Sequence, residues 1–276
     1  MKQLFLFTAL FITVSKSKAA IVDTISIPSK AMGKSFKCVV IKPDSYTAPM
    51  QATKKKSFPV VYLLHGYGGW YSNYVTRVPE IVNYADQYQF IIVTPEGKDS
   101  WYIDSPVDTE MKFETYVGIE IPAWIDEHYN TIPDRKGRAI TGLSMGGHGG
   151  LFLGFRHAET FGACGSMSGG VYLRPFPKNW QLMKRLGDTT SKADNWEKYS
   201  VINVIEQKPK DSLAIIIDCG TKDFFFDVNN RLHEKMMKLN IPHDYIVRPG
   251  EHNWDYWKNA MQYQFLFFSN YFRKKN

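Results

Sequence analysis

The sequence is poor in cysteine. Cys38, Cys164 and Cys219 are the three it has in 276 residues, too few for a dense disulfide framework and without the CxxC spacing of zinc or dithiol sites. Glycine and proline are not enriched either, at 20 and 14 residues, which excludes collagen-like and low-complexity chains. After the N-terminus no apolar run approaches the roughly 20 residues that cross a bilayer. Nor is there a strong excess of one charge. The first 19 residues hold Lys2, Lys16 and Lys18 and no acid, so without them the formal charge drops from +7 to +4. The positive run Lys54-Lys55-Lys56 lacks the interleaved aromatics of a nucleic-acid surface and reads as a solvated loop.

What is present is a globular composition, 44% hydrophobic and 22% charged, at a length that one α/β domain commonly fills. The N-terminus has the pattern of an export signal: Lys2, an apolar stretch from Leu4 to Val14, then Ser17-Lys18-Ala19-Ala20. That stretch is too short to span a membrane. The expectation is a signal peptide over residues 1–19, cleaved near Ala19, and a secreted or periplasmic chain of one domain over residues 20–276, with no transmembrane segment.

Apolar runs of strand length then alternate with helix-period stretches, the pattern of a mostly parallel sheet flanked by helices. Strands are expected at Phe36–Ile41, Pro59–Leu64, Phe90–Thr94, Arg138–Thr141, Cys164–Ser168, Leu213–Asp218 and Tyr245–Val247. Phe113, Tyr116, Val117, Ile121, Trp124 and Ile125 follow a helical period, with Pro122 a kink or break and Glu120 a buried structural carboxylate on the same stripe. Val228, Leu232, Met236 and Leu239 mark a second helix face. Trp254, Trp257, Met261, Phe265 and Phe268 mark a third, read as core. Residues 172–210, with Pro175, Pro177 and Trp180, interrupt the alternation and form a small insertion above the sheet.

The chemistry gathers around Gly142-Leu143-Ser144-Met145-Gly146, a GxSxG turn between an apolar strand and a helix start. A sharp turn there lifts the serine hydroxyl above the sheet, and the flanking glycines permit strained dihedrals and close helix packing. By composition alone GxSxG occurs about 0.1 times in a chain of this length, so the motif needs support. Support comes from His65-Gly66-Tyr67-Gly68-Gly69 at the end of an earlier strand, a loop able to aim a backbone N–H at the serine. The expected oxyanion donors are the Tyr67 and Met145 amides. In this fold class the acid and then the histidine follow the serine on later loops. Of His233, His243 and His252, only His252 lies in a loop directly after a strand, and His148 belongs to the helix after the serine, where it packs or caps. For the acid, Asp223 sits in the turn after a strand and is preferred to Asp227, which has the place of an ordinary helix N-terminal acid.

These segments together resemble the esterase D-like family of α/β-hydrolases, which includes S-formylglutathione hydrolases, feruloyl and acetyl-xylan esterases and mycobacterial mycolyltransferases. The resemblance runs from about Phe36 to the C-terminus. It is carried by Tyr62-Leu63-Leu64-His65-Gly66, by Arg138 to Gly147, by Ser166-Met167-Ser168-Gly169-Gly170, by Cys219-Gly220-Thr221-Lys222-Asp223 and by Gly250-Glu251-His252-Asn253-Trp254. It implies an α/β-hydrolase fold, a Ser144, Asp223, His252 triad and an esterase needing no metal or organic cofactor. The export signal favours the secreted carbohydrate esterases over the cytosolic thioester hydrolases. The expected partner is a small-molecule or polysaccharide-linked ester of a short acyl or hydroxycinnamoyl group, with no nucleic acid. Trp70, Trp101 and Trp180 are candidates to stack on the substrate, with Tyr71, Tyr74 and Tyr102 in the same loops. Rival readings are a thioesterase or acyltransferase with the same triad and a non-catalytic carbohydrate-binding relative. The last would typically lack a triad member, and a peptidase would carry a gating domain.

Overall fold

The computed structural model describes residues 20–47, 56–207 and 213–274. The expected signal peptide, Lys54 and Lys55, and the last residues of the insertion lie outside them. Eight strands form one sheet: β1 (Ile21–Ser29), β2 (Lys34–Lys42), β3 (Val60–Leu64), β4 (Ile91–Pro95), β5 (Arg138–Gly142), β6 (Ala163–Met167), β7 (Ala214–Gly220) and β8 (Asp244–Arg248). Their spatial order is β1-β2-β4-β3-β5-β6-β7-β8. The β1–β2 and β2–β4 pairs are antiparallel, and every pair from β4 to β8 is parallel.

The helices are α1 (Asn73–Arg77), α2 (Ile81–Tyr88), α3 (Phe113–Thr115), α4 (Ile121–His128), α5 (Met145–Arg156), α6 (Leu182–Leu186), α7 (Ala193–Lys198), α8 (Val201–Val204), α9 (Phe226–Lys238) and α10 (Trp254–Lys274). They cover both faces of the sheet, which is why the central strands read as continuous apolar runs. Along β3, Val60, Tyr62 and Leu64 point to one face and pack with Leu151 and Phe152 of α5, while Val61 and Leu63 point to the other with Met261, Phe265 and Phe268 of α10 and Ile81 of α2. Each such fully buried side chain contributes about 1.5–3 kcal/mol. Cys38, Cys164 and Cys219 are buried within this core as free thiols.

All seven expected strands are present within two residues of their expected ends. An eighth, β1, was not expected: Pro28 interrupts its pattern. Pro is compatible with this position because β1 is an edge strand; Gly33, with φ +60°, closes the hairpin to β2. Pro122 breaks nothing. A π-helical turn, Tyr116–Glu120, joins α3 to α4, with Pro122 in the first turn of α4 and the Ile121 amide donating to Tyr116 O. Glu120 is only half-buried, and its Oε1 accepts from the Ala31 amide at 2.9 Å.

Candidate active site

β5 ends at Gly142 and α5 begins at Met145, so Ser144 occupies the turn between them. Its φ of 56° and ψ of −116° lie outside the regions an L-residue ordinarily adopts, a strain of about 1–3 kcal/mol that the surroundings must hold. The two flanking glycines are steric requirements. A Cβ on Gly146 would stand 2.2 Å from Leu64 O, and one on Gly142 would stand 2.4 Å from the same oxygen. The Ser144 amide donates to Met167 O at 2.9 Å, tying the turn to β6.

Parallel pairing of β7 with β8 sets the loops after them side by side. The Thr221 amide donates to Arg248 O and the Lys222 amide to Gly250 O, each at 2.9 Å. Behind them Asp218, wholly buried, accepts from Tyr256 and from Arg248 Nη2 (2.6 Å for the latter); burial pushes its carboxyl up against the pull of both partners. On this frame His252 meets both Ser144 and Asp223. Asp223 Oδ2 lies 2.8 Å from His252 Nδ1, and Ser144 Oγ lies 2.9 Å from His252 Nε2. A carboxylate can only accept, so Nδ1 carries the proton and Nε2 is left to accept from the serine. Asp223 is buried, and its Oδ1 also accepts from the Phe225 amide at 2.8 Å. Phe224, with its ring centroid 4.1 Å from that of His252, and Trp257, edge-on at 4.9 Å, hold the imidazole between them.

The competing residues lie elsewhere. Asp227 is exposed in the first turn of α9. His233 and His243 bond each other at 2.8 Å. His148 is buried in α5 with its ring nitrogens on Trp101 O and Tyr199 O, and burial pushes it down to about 4.

The His65–Gly69 loop lies against the serine turn. A Cβ on Gly66 would stand 2.7 Å from Leu143 Cδ1 and 3.4 Å from Ser144 Cβ. His65 accepts from the Gly97 amide at Nε2 (2.8 Å) while Nδ1 donates to Gly66 O (2.8 Å), which fixes its tautomer and the loop. Among the described residues no acceptor takes the Tyr67 or the Met145 amide. Met145 opens α5, so its N–H is one of the helix's orphan donors.

A cavity of about 400 Å³ opens above Ser144, lined by Tyr67, Trp70, Asn73, Arg77, Trp180, Phe224, His252, Trp254 and Trp257. That volume is at the small end of small-molecule sites. Of the tryptophans expected at the substrate, Trp70 and Trp180 line it and Trp101 does not. Trp101 is 1% exposed, packs in the core, and donates its indole N–H to Trp180 O at 3.2 Å, so it supports the wall from behind. Tyr74 and Tyr102 are likewise buried, donating to Leu64 O and His65 O. No motif or period marks Phe224, Asn73 or Arg77 in the sequence, and Trp254 and Trp257, expected as core, line the cavity as well. The insertion reaches the site through Trp180.

Among the described residues no helix is long and apolar enough to cross a membrane, and no group of three or more His, Cys, Asp or Glu side chains could hold a metal. The family profile described as "Putative esterase" matches residues 29–268. The chain is 26% identical over 226 residues to an acetyl esterase of Caldicellulosiruptor saccharolyticus, covering 78% of this chain and 84% of that protein. It is 23% identical over 201 residues to the S-formylglutathione hydrolase of Bos taurus, covering 65% of this chain and 69% of that one. A solved ferulic acid esterase superposes with a TM-score of 0.77 at 28% identity, over 92% of this chain and 99% of its own. The chain adopts the α/β-hydrolase fold, is a carboxylesterase by class, and belongs to the esterase family that the profile describes.

Proposed function

We propose that the protein is an exported serine esterase that hydrolyses short-acyl or hydroxycinnamoyl esters, including those borne by plant polysaccharides, through Ser144, His252 and Asp223. The observation carrying this reading is the pair of contacts at His252, 2.9 Å to Ser144 Oγ and 2.8 Å to Asp223 Oδ2, beneath a small aromatic cavity. His252 takes the serine proton as Oγ attacks the ester carbonyl. The Tyr67 and Met145 amides hold the oxyanion, and the protonated His252 delivers the proton to the departing alcohol. Water, activated by the same histidine, then releases the acid from the acyl-serine, while Asp223 keeps the imidazole oriented and stabilises its charged form. Every group in the cycle belongs to residues 20–276, which we take as one catalytic unit with 172–210 as its insertion.

Trp70, Trp180 and Phe224 suit a sugar or phenolic ring beside a small acyl group, and the small volume suits a long alkyl chain poorly. The likeness to an S-formylglutathione hydrolase supports one further reading, a thioesterase with the same triad. A panel of acetyl, butyryl, feruloyl, long-chain (C12 to C16) and glutathione-thiol esters tests the proposal, with Ser144→Ala as control. We expect short or feruloyl oxygen esters to be preferred and the alanine variant to lose on the order of 10⁶ in turnover. Preference for the long chains, or a variant retaining more than about a hundredth of the activity, overturns it.

A further inference from the structure

The cavity above Ser144 holds one permanently charged side chain. Arg77 closes α1, four residues after Asn73, and the two share the cavity wall with Tyr67 and Trp70. Five other arginines each hold a carboxylate: Arg138, Arg156, Arg174, Arg185 and Arg248. Among the described residues Arg77 holds none, and no lining residue is acidic. Of the acids near the cavity, two have partners of their own, while Glu80, in the turn after α1, is exposed. Asp99 accepts from the Gly68 amide at 3.0 Å, and Glu96 accepts from the Lys98 amide at 2.9 Å and faces His65. The mouth of the site therefore carries a guanidinium with no ion pair among the described residues, beside apolar rings. A guanidinium with its fork untaken suits a carboxylate bidentately.

We propose that Arg77 is a specificity residue that selects esters bearing a carboxylate away from the reacting carbonyl, with Trp70 and Trp180 gripping the body of the same molecule. The inference rests on the reading of Ser144 as nucleophile. Arg77 is exposed, so the pairing is partly screened and worth about three- to tenfold in kcat/KM, expressed mainly in KM. It weakens as salt rises.

Two matched substrate pairs test this. p-Nitrophenyl hemisuccinate against p-nitrophenyl butyrate places the charge on the acyl side; 4-acetoxybenzoate against its methyl ester places it on the leaving group. In at least one pair, Arg77→Ala lowers the anionic-to-neutral ratio of kcat/KM about three- to tenfold, Arg77→Lys keeps part of it, and about 0.5 M salt shrinks the wild-type ratio. The pair that responds identifies which part of the substrate carries the charge. Ratios unchanged by Arg77→Ala in both pairs overturn the inference and leave the esterase reading standing. Should no ester be turned over, binding decides it: in the Ser144→Ala variant, 4-hydroxybenzoate quenches tryptophan fluorescence at lower concentration than 4-hydroxybenzamide, and Arg77→Ala removes the difference. Equal quenching by the two overturns it.

Discussion

Asp223 and Asp227 are four residues apart, and the backbone gives them different work. The turn after β7 buries the first and aims it at His252, while the second is exposed in the opening turn of α9. Asn at position 223 keeps the shape but can donate to the imidazole, favouring the wrong tautomer. Asp223→Asn is therefore expected to lower turnover by about 10⁴, and Asp227→Asn to cost far less. Steady-state rates on a short-chain ester, with thermal unfolding to show both variants folded, check the ranking, and the reverse order would move the acid to Asp227. The turn at Ser144 and the loops that carry His252 and Asp223 are legible in the sequence because each setting is local, a glycine-flanked turn or a loop directly after a strand. Trp101 and Phe224 could not be told apart in role. Both are loop aromatics, and only the tertiary path of the chain sends one into the core and sets the other, 52% exposed, against the histidine.

At the level of elements, α5 links the Ser144 turn to the insertion through His148. Burial pushes this imidazole down to about 4, which favours the neutral ring; with a carbonyl oxygen against each nitrogen, its single N–H then serves one of the two. Its folded pKa lies below the 6.5 of an unfolded histidine, so its stabilising contribution is complete above pH 6.5. It is lost as pH falls toward 4, while the unfolded state takes up the proton and the folded state does not. The full loss is about 3 kcal/mol. Urea midpoints measured across that window should fall more steeply for the wild type than for His148→Gln, and parallel slopes would show that the group is not neutral when buried. The strands were readable here because burial on both faces leaves uninterrupted apolar runs. β1 is less legible, because although Ile25 and Ile27 alternate with polar residues, a proline within a run counts against a strand. The π-helical turn before Pro122 was not readable, because no residue preference marks a helix that widens for five residues and resumes.

For the whole molecule, the pattern of Lys2, the apolar stretch to Val14 and Ala19 supports export. Mass spectrometry of the protein from its native host is expected to find a chain beginning near Ala20 or Ile21 outside the cytoplasm; an intact Met1 in a cytoplasmic pool would remove that part of the proposal. Compartment also bears on the three thiols. Disulfides are a common reinforcement of exported proteins, yet Cys38, Cys164 and Cys219 are free and buried, and burial pushes all three thiols up, away from the reactive thiolate. The sheet and its helices hold without a covalent tie, so folding depends on no oxidant. Each molecule also carries its own clock: an alkylating reagent that reaches a cysteine registers an opening of the core, and the labelling rate reads how often the closed state is left.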